Sequence, residues 1–184
     1  MATTTHNPWT ADELRRLPEG WRYEIDEGEL VIMPPAGFEH NDITTTIVLL
    51  LGNYVRKHHL GKLLTNELGV YLSRKPRETL RGIDVAFYSN ERLARITDRK
   101  GFPDVPPDLA VEVHDASEPD LRRKIEQYLS AGVGSVWVVD PDAGTLTRHV
   151  SGELSRVWSD LDAVVLEPAL PGFSCRLREL LGEE

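Results

Sequence analysis

The run Ser135-Val136-Trp137-Val138-Val139 is almost wholly apolar. A strand without polar alternation has to be covered on both faces, because either face left in water would expose branched and aromatic side chains. That requirement demands a sheet layered between helices, and the chain supplies them. Ile43, Ile47, Leu50, Leu51 and Tyr54 recur at steps of three and four, which predicts an amphipathic helix over Phe38 to His58, closed by Gly61. Leu121, Ile125, Tyr128 and Leu129 predict a second, from about Glu118 to Ala131, stopped by Gly132.

Three strands are expected between these helices. Lys62 to Leu72 alternates. Gly82 to Tyr88 places Ile83, Val85 and Phe87 on one face, and Asp108 to His114 turns Leu109, Val111 and Val113 to the core. The order is helix, three strands, helix, strand, which is an α/β fold with a mixed sheet flanked by helices. Upstream, the capping box Thr10/Glu13 opens a short helix to Leu17. Tyr23 to Ile25 and Glu29 to Met33, joined at Asp26 to Gly28, read as an N-terminal β-hairpin. Downstream, Thr145 to Val150 and Leu154 to Trp158 read as a hairpin, and a short helix is expected over Cys175 to Leu181. A length of 184 residues suits one domain. Residues 1–9 are expected as a flexible leader and 10–184 as that domain.

Composition removes several classes of function. No apolar run approaches the ~20 residues that span a bilayer, the opening residues are polar, and the lone Cys175 excludes an internal disulfide framework. A cytoplasmic protein without membrane attachment is expected. The net charge of −9 argues against non-specific coating of nucleic acid, which rests on Lys and Arg neutralising phosphates. The charge is uneven, however. Leu72 to Gly101 carries eight bases against four acids, and Asp140 to Glu184 four arginines against nine acids. The basic strip either meets a phosphate-bearing partner or is a solvated loop.

Two carboxylates stand inside predicted strands. Asp84 lies opposite Ile83, Val85 and Phe87 with Gly82 and Ala86 beside it, and Glu112 shares a face with Ala110. A carboxylate in a sheet is costly to bury unless paired, hydrogen-bonded or bound to a cation. On adjacent strands the two acids would converge on a space fit for Mg²⁺, which is commonly held by one or two carboxylates, waters and substrate phosphates. The other reading is that each acid is exposed or pairs with an arginine. Lys124 flanks the apolar stripe of the second helix. It either pairs with Asp120 at i,i+4 or supplies a charge at the rim of the acid pair. His40 shares the stripe of Ile43, and His114 shares the face of Glu112; both read first as structural residues, the other reading being a ligand role for His40 and a supporting or metal-binding role beside Glu112 for His114. Glu24 and Glu29 read as charges flanking a turn. There is no Gly-rich phosphate loop, no paired cysteines for zinc and no nucleophile elbow.

These blocks, in order, are Tyr23-Glu24-Ile25-Asp26-Glu27-Gly28-Glu29-Leu30, Met33-Pro34, His40, Ile83-Asp84-Val85, Pro107 to Val113, Asp120 with Lys124 and Tyr128, Gly132-Val133, and Trp137 to Pro141. Together, over about Trp9 to Val150, they resemble the Uma-two family of bacterial restriction-like endonucleases, within the PD-(D/E)XK nuclease superfamily. The resemblance implies a restriction endonuclease-like core. It implies Asp84 and Glu112 as metal-binding catalytic acids, Lys124 as a catalytic lysine moved onto the helix, and Glu24 and His40 as supporting residues. Where the superfamily signature sets a lysine two residues after the glutamate, this chain has His114. The implied activity is Mg²⁺- or Mn²⁺-dependent endonuclease hydrolysis of phosphodiester bonds in DNA, with a homodimer as the expected assembly. The alternative is a nuclease fold without cleavage that serves as a binding or assembly module.

Overall fold

A computed structural model describes residues 7–18, 21–114 and 120–183. Helix α1 (Ala11–Leu14) opens on Thr10, whose amide and hydroxyl both donate to the Glu13 carboxylate at 2.8 Å. Residues 1–6 of the expected leader lie outside the described residues. Trp9, at its end, is tied down, with its amide donating to the Gly28 carbonyl at 2.8 Å and its ring packing toward Ala11 and Leu80.

The hairpin is β1 (Arg22–Asp26) and β2 (Glu29–Met33), antiparallel, turning through Glu27 and Gly28, both in the left-handed region. Helix α2 (Phe38–Lys57) buries Ile43, Ile47, Leu51 and Val55, the stripe that the periodicity marked. Then follow β3 (Gly61–Ser73), β4 (Thr79–Ser89), α3 (Asn90–Arg95), β5 (Leu109–Val113), α4 (Leu121–Ser130) and β6 (Ser135–Asp140). The expected order of helix, three strands, helix, strand is therefore α2, β3, β4, β5, α4, β6. Residues 115–119, which include the predicted start of α4, lie outside the described residues. Strands β7 (Thr145–His149) and β8 (Arg156–Trp158) extend the sheet, and β9 (Val164–Leu166), β10 (Ser174–Arg176) and α5 (Leu177–Leu180) close the chain.

Three of these elements differ from the sequence reading. Helix α3 and the two-stranded β9–β10 ribbon were not anticipated, and Cys175 sits in β10 rather than in a helix. Three-residue strands are too short to show a period.

The eight-stranded sheet is mixed. Its order is β2-β1-β4-β5-β6-β7-β8, with β3 paired to β4, and β5–β6 is the parallel pair. β6 is central, as its unbroken apolar run requires. One core cluster joins α2 and α5 to Val85, Phe87, Leu109, Val111, Val113, Trp137 and Val139; the other joins α4 to Ala86, Tyr88, Ala110 and Val136. The alternation along β4, β5 and β6 puts these clusters on opposite faces. Ile83 belongs to the second cluster, not with Val85 and Phe87, so the alternation expected along β4 breaks at Asp84. Among the described residues, no helix is long and apolar enough to cross a membrane.

The topology leaves a defect in the sheet. β3 runs along one edge of β4 for nearly its whole length. The other edge is shared: β1 meets it at Leu80, and β5 meets it at Val85 to Phe87. Between these, Arg81 to Asp84 have no strand partner on that edge. Opposite them, β3 carries a bulge between Thr65 and Leu68, with Asn66 and Glu67 both at positive φ.

Candidate active site

A buried stretch of strand without a ladder partner has to satisfy its backbone by other means. At Gly82, the amide donates to Glu24 Oε1 at 2.8 Å, and the carbonyl accepts from the Tyr128 hydroxyl at 2.7 Å. Glu24 and Tyr128 are buried, and each reaches the gap from a different element, β1 and α4. Continuing the β4–β5 register one step past Val85 and Val111 would set Asp84 opposite Glu112. Instead the ladder stops, and Asp84 Oδ2 accepts from the Val113 amide at 2.8 Å. A side-chain carboxylate thus stands where a strand carbonyl would be.

Asp84, Glu112, Lys124, Glu24 and His40 all come to this gap. Asp84 Oδ2 also lies 3.1 Å from His40 Nε2 in the first turn of α2. Glu112 points to the α4 side, where Oε1 lies 2.7 Å from the Tyr128 hydroxyl, whose one proton it shares with the Gly82 carbonyl, and Oε2 accepts from Lys124 Nζ at 2.9 Å. The Lys124 ammonium lies 3.3 Å from Glu24 Oε1, so it sits between two carboxylates rather than pairing with Asp120 along the helix. Asp120 lies 3.8 Å from Arg123 instead. Glu24 is no turn-flanking charge, since its Oε2 takes a 2.9 Å ion pair from Arg81, itself only 4% exposed. Arg81 also reaches Gln127 and Asp26. Arg92 is likewise committed, to Asp108 and to carbonyls of Pro106, Pro107 and Gly132. Two cations of the basic strip are therefore structural rather than available to a partner. Glu29, on the other arm of the hairpin, is exposed.

Glu67 was not singled out from the sequence. The β3 bulge turns it toward the gap, where it pairs with Arg22 and its carboxyl meets that of Asp84. Burial, then the charge of Asp84, pushes its pKa up to about 7. For Asp84, burial alone would raise the pKa, but hydrogen bonds from His40 and Val113 with the nearby Lys124 charge hold it below the usual carboxylate range. His40 is raised, first by its hydrogen bond to Asp84, against the pull of burial. The only sequence signal for Glu67 would have been Asn66-Glu67 interrupting the alternation of β3.

The donor set facing the gap is all oxygen, from Asp84, Glu67 and Glu112, which suits a hard divalent cation. The carboxylates close over Gly82: a Cβ there would lie 2.7 Å from Glu67 Oε2 and 3.4 Å from Glu24 Oε1. Among the described residues, no three His, Cys, Asp or Glu side chains are grouped so that they alone could hold a metal ion. An ion here would complete its shell with water and substrate oxygens, as Mg²⁺ does. In front of Asp84 and Glu67 opens a groove of about 470 Å³, lined by Arg22, His40, Asn41, Thr44 and Asn66 among others. The Thr44 hydroxyl lies buried there without a hydrogen-bond partner. A separate recess by Pro76 and Arg77, of about 410 Å³, holds none of these acids.

A family model described as "Putative restriction endonuclease" matches residues 11–178. The crystal structure of a "putative nuclease" from Anabaena variabilis is similar, with a TM-score of 0.77 over 95% of this chain and 98% of that one, at 21% identity. At that identity the likeness is one of fold, and the fold is restriction endonuclease-like. A search of curated proteins returns no match.

Proposed function

Because the chain belongs to the Uma2 family of restriction endonuclease-like proteins, we propose that it is a divalent-metal-dependent endonuclease hydrolysing phosphodiester bonds in DNA. The observation that carries this reading is that Glu67 and the buried Asp84 line the floor of one open groove. Two acids held together in a half-buried gap oppose folding, and such arrangements concentrate at functional sites.

In this reading Asp84 and Glu112, with Glu67, hold Mg²⁺ or Mn²⁺. The chemistry such an ion supplies when bound is polarisation of a phosphoryl oxygen and a lowered pKa for a nearby water. The protein's own groups do the positioning. His40 and the Val113 amide fix the Asp84 carboxylate, and Tyr128 fixes Glu112. Lys124, braced by Glu24 and Glu112, keeps a positive charge beside the acids where charge develops on the phosphate. The groove past Arg22 and Asn66 takes the strand. A homodimer, which would set one such centre on each strand, is part of the reading.

A binding module without cleavage is the rival, favoured by one observation: both Glu112 oxygens are already taken by Tyr128 and Lys124. Incubation of supercoiled plasmid with protein and Mg²⁺, Mn²⁺ or chelator separates the two. Metal-dependent nicking by the native chain, abolished in Asp84→Ala/Glu112→Ala, is expected. Equal behaviour of native and double variant would overturn cleavage at these acids.

A further inference from the structure

The groove before Asp84 and Glu67 has walls whose chemistry differs from its floor. Among the described residues its lining holds one arginine or lysine, Arg22, which is committed to Glu67 and to the Pro34 carbonyl. With two carboxylates below, a phosphate meets no available cation here except an ion at the floor. The walls instead carry neutral hydrogen-bonding groups, from Asn41, Thr44 and Asn66, beside the apolar surfaces of Pro35 and Val48. Thr44, one turn beyond His40, has its hydroxyl buried with no hydrogen-bond partner, an uncommon state for a buried polar group. Its neighbour Thr45 bonds back to the Asn41 carbonyl at 2.7 Å, the usual recourse of a threonine in a helix, and Thr44 makes no such bond. Asn41 spends both amide hydrogens on the carbonyls of Ala36 and Gly37, at 3.2 and 2.8 Å. Two carbonyl acceptors fix which way its amide faces, so what Asn41 has left for a ligand is its oxygen. Asn66 is held at the β3 bulge with positive φ, its side chain exposed.

We propose that this groove takes an unpaired nucleobase of the DNA strand, next to the phosphate held at Asp84. Asn and Thr are among the side chains that read base edges, and the apolar wall suits the face of a base. The volume of about 470 Å³ falls within the ~300–1,000 Å³ of small-ligand sites. A base enters a concave site of that kind only when it is out of the stack. The Asn41 oxygen accepts hydrogen bonds, so it favours a base with an exocyclic amine over thymine, which has none. The substrate is therefore single-stranded or locally unpaired DNA, and a fully paired duplex binds only after a base has been extruded.

The choice of DNA rests on the nuclease reading above, and the test tells the two failures apart. The full chain is titrated into a labelled duplex carrying one unpaired dC, into the same duplex with dT unpaired instead, and into the fully paired duplex. The buffer holds Ca²⁺, which takes oxygen ligands as Mg²⁺ does, and fluorescence anisotropy reads each affinity. The unpaired dC duplex is expected to bind about tenfold or more tighter than the paired one, because no base has to be unstacked and unpaired. The unpaired dT duplex should bind more weakly than the dC one. Thr44→Val keeps the shape of the side chain and removes the hydroxyl. It should weaken the unpaired dC duplex by about three- to tenfold, as loss of one neutral hydrogen bond implies, and leave the paired duplex unchanged; Thr44→Ser should bind as the native chain does. Equal affinity for paired and unpaired duplexes, or a Thr44→Val variant that weakens both alike or neither, would overturn the base pocket. Equal affinity for unpaired dC and dT would overturn the role given to Asn41. No binding to any of the three would overturn the pocket and the DNA reading together. None of these readouts requires cleavage, so a protein that prefers the unpaired site yet leaves plasmid intact would overturn the nuclease reading and uphold the pocket.

Discussion

Gly82 has no side chain, and the carboxylates of Glu67 and Glu24 lie over the space that a Cβ would fill. In Gly82→Ala the added methyl meets the far end of the Glu67 side chain, which swings away at little cost, so the fold should keep its stability. The Glu67–Asp84 contact is lost with it. Thermal unfolding close to native, together with Mn²⁺ affinity lower by about tenfold in calorimetry, is the expected result, since displaced supporting groups weaken metal sites by that order. Ionisation in the same cluster sets a pH dependence. His40 is raised in the folded chain, so its contribution to stability is complete below its ordinary value of 6.5 and disappears as pH rises through the folded value. Glu67 acts in the same direction, because ionising a group pushed from 4.5 to about 7 opposes folding across that interval. Asp84, held low, loses its contribution only on the acid side. Urea unfolding of the metal-free protein should therefore show stability falling as pH rises from about 4.5 to about 7 through Glu67, with His40 adding to the fall above 6.5. Glu67→Gln should flatten the Glu67 part of that fall, and a native profile that rises over the interval would contradict this account of the cluster.

The N-terminal hairpin is latched to the sheet by one residue, Glu24, which meets Arg81, Lys124 and the Gly82 amide at once. Glu24→Ala leaves two buried cations and a buried amide without that partner. A loss of about 3–5 kcal/mol in urea unfolding is expected, the usual result of removing one side of a buried ion network. Little of this was visible along the chain. The strands and helices that carry long periods, such as Phe38 to Lys57, were legible because one buried stripe dictates them. Asp84, Glu112 and Lys124 were legible as charges where a sheet or a helix flank should be apolar or paired. Glu24 was not legible from its surroundings, because at the end of a hairpin a glutamate normally meets water, and the resemblance alone marked it. Glu67 was missed because a bulge is a relation between two strands, and Asn66 and Glu67 reveal it only in the register with β4. The face of Ile83 was misread for the same reason: strict alternation along β4 fails where the ladder fails.

The molecule carries a charge of −9 and gathers four acids, Glu24, Glu67, Asp84 and Glu112, around a single glycine. The net negative charge repels a phosphate backbone until cations intervene. DNA affinity is thus expected to depend on divalent metal and to weaken steeply as monovalent salt rises, because each phosphate contact releases counterions. Fluorescence anisotropy across a salt series, with and without chelator, measures this; affinity equal in chelator and in metal would oppose it. The layered order of elements that the sequence implied is what brings the acids together, since β1 and β5 share one edge of β4 and leave the gap between them. The most direct test of the central claim is a Mn²⁺ titration, followed by electron paramagnetic resonance, of the native chain beside Asp84→Asn and Glu67→Gln. The account expects one ion per native chain, with affinity lost in Asp84→Asn and reduced in Glu67→Gln. Unchanged binding in Asp84→Asn, or no saturable binding by the native chain, would contradict it.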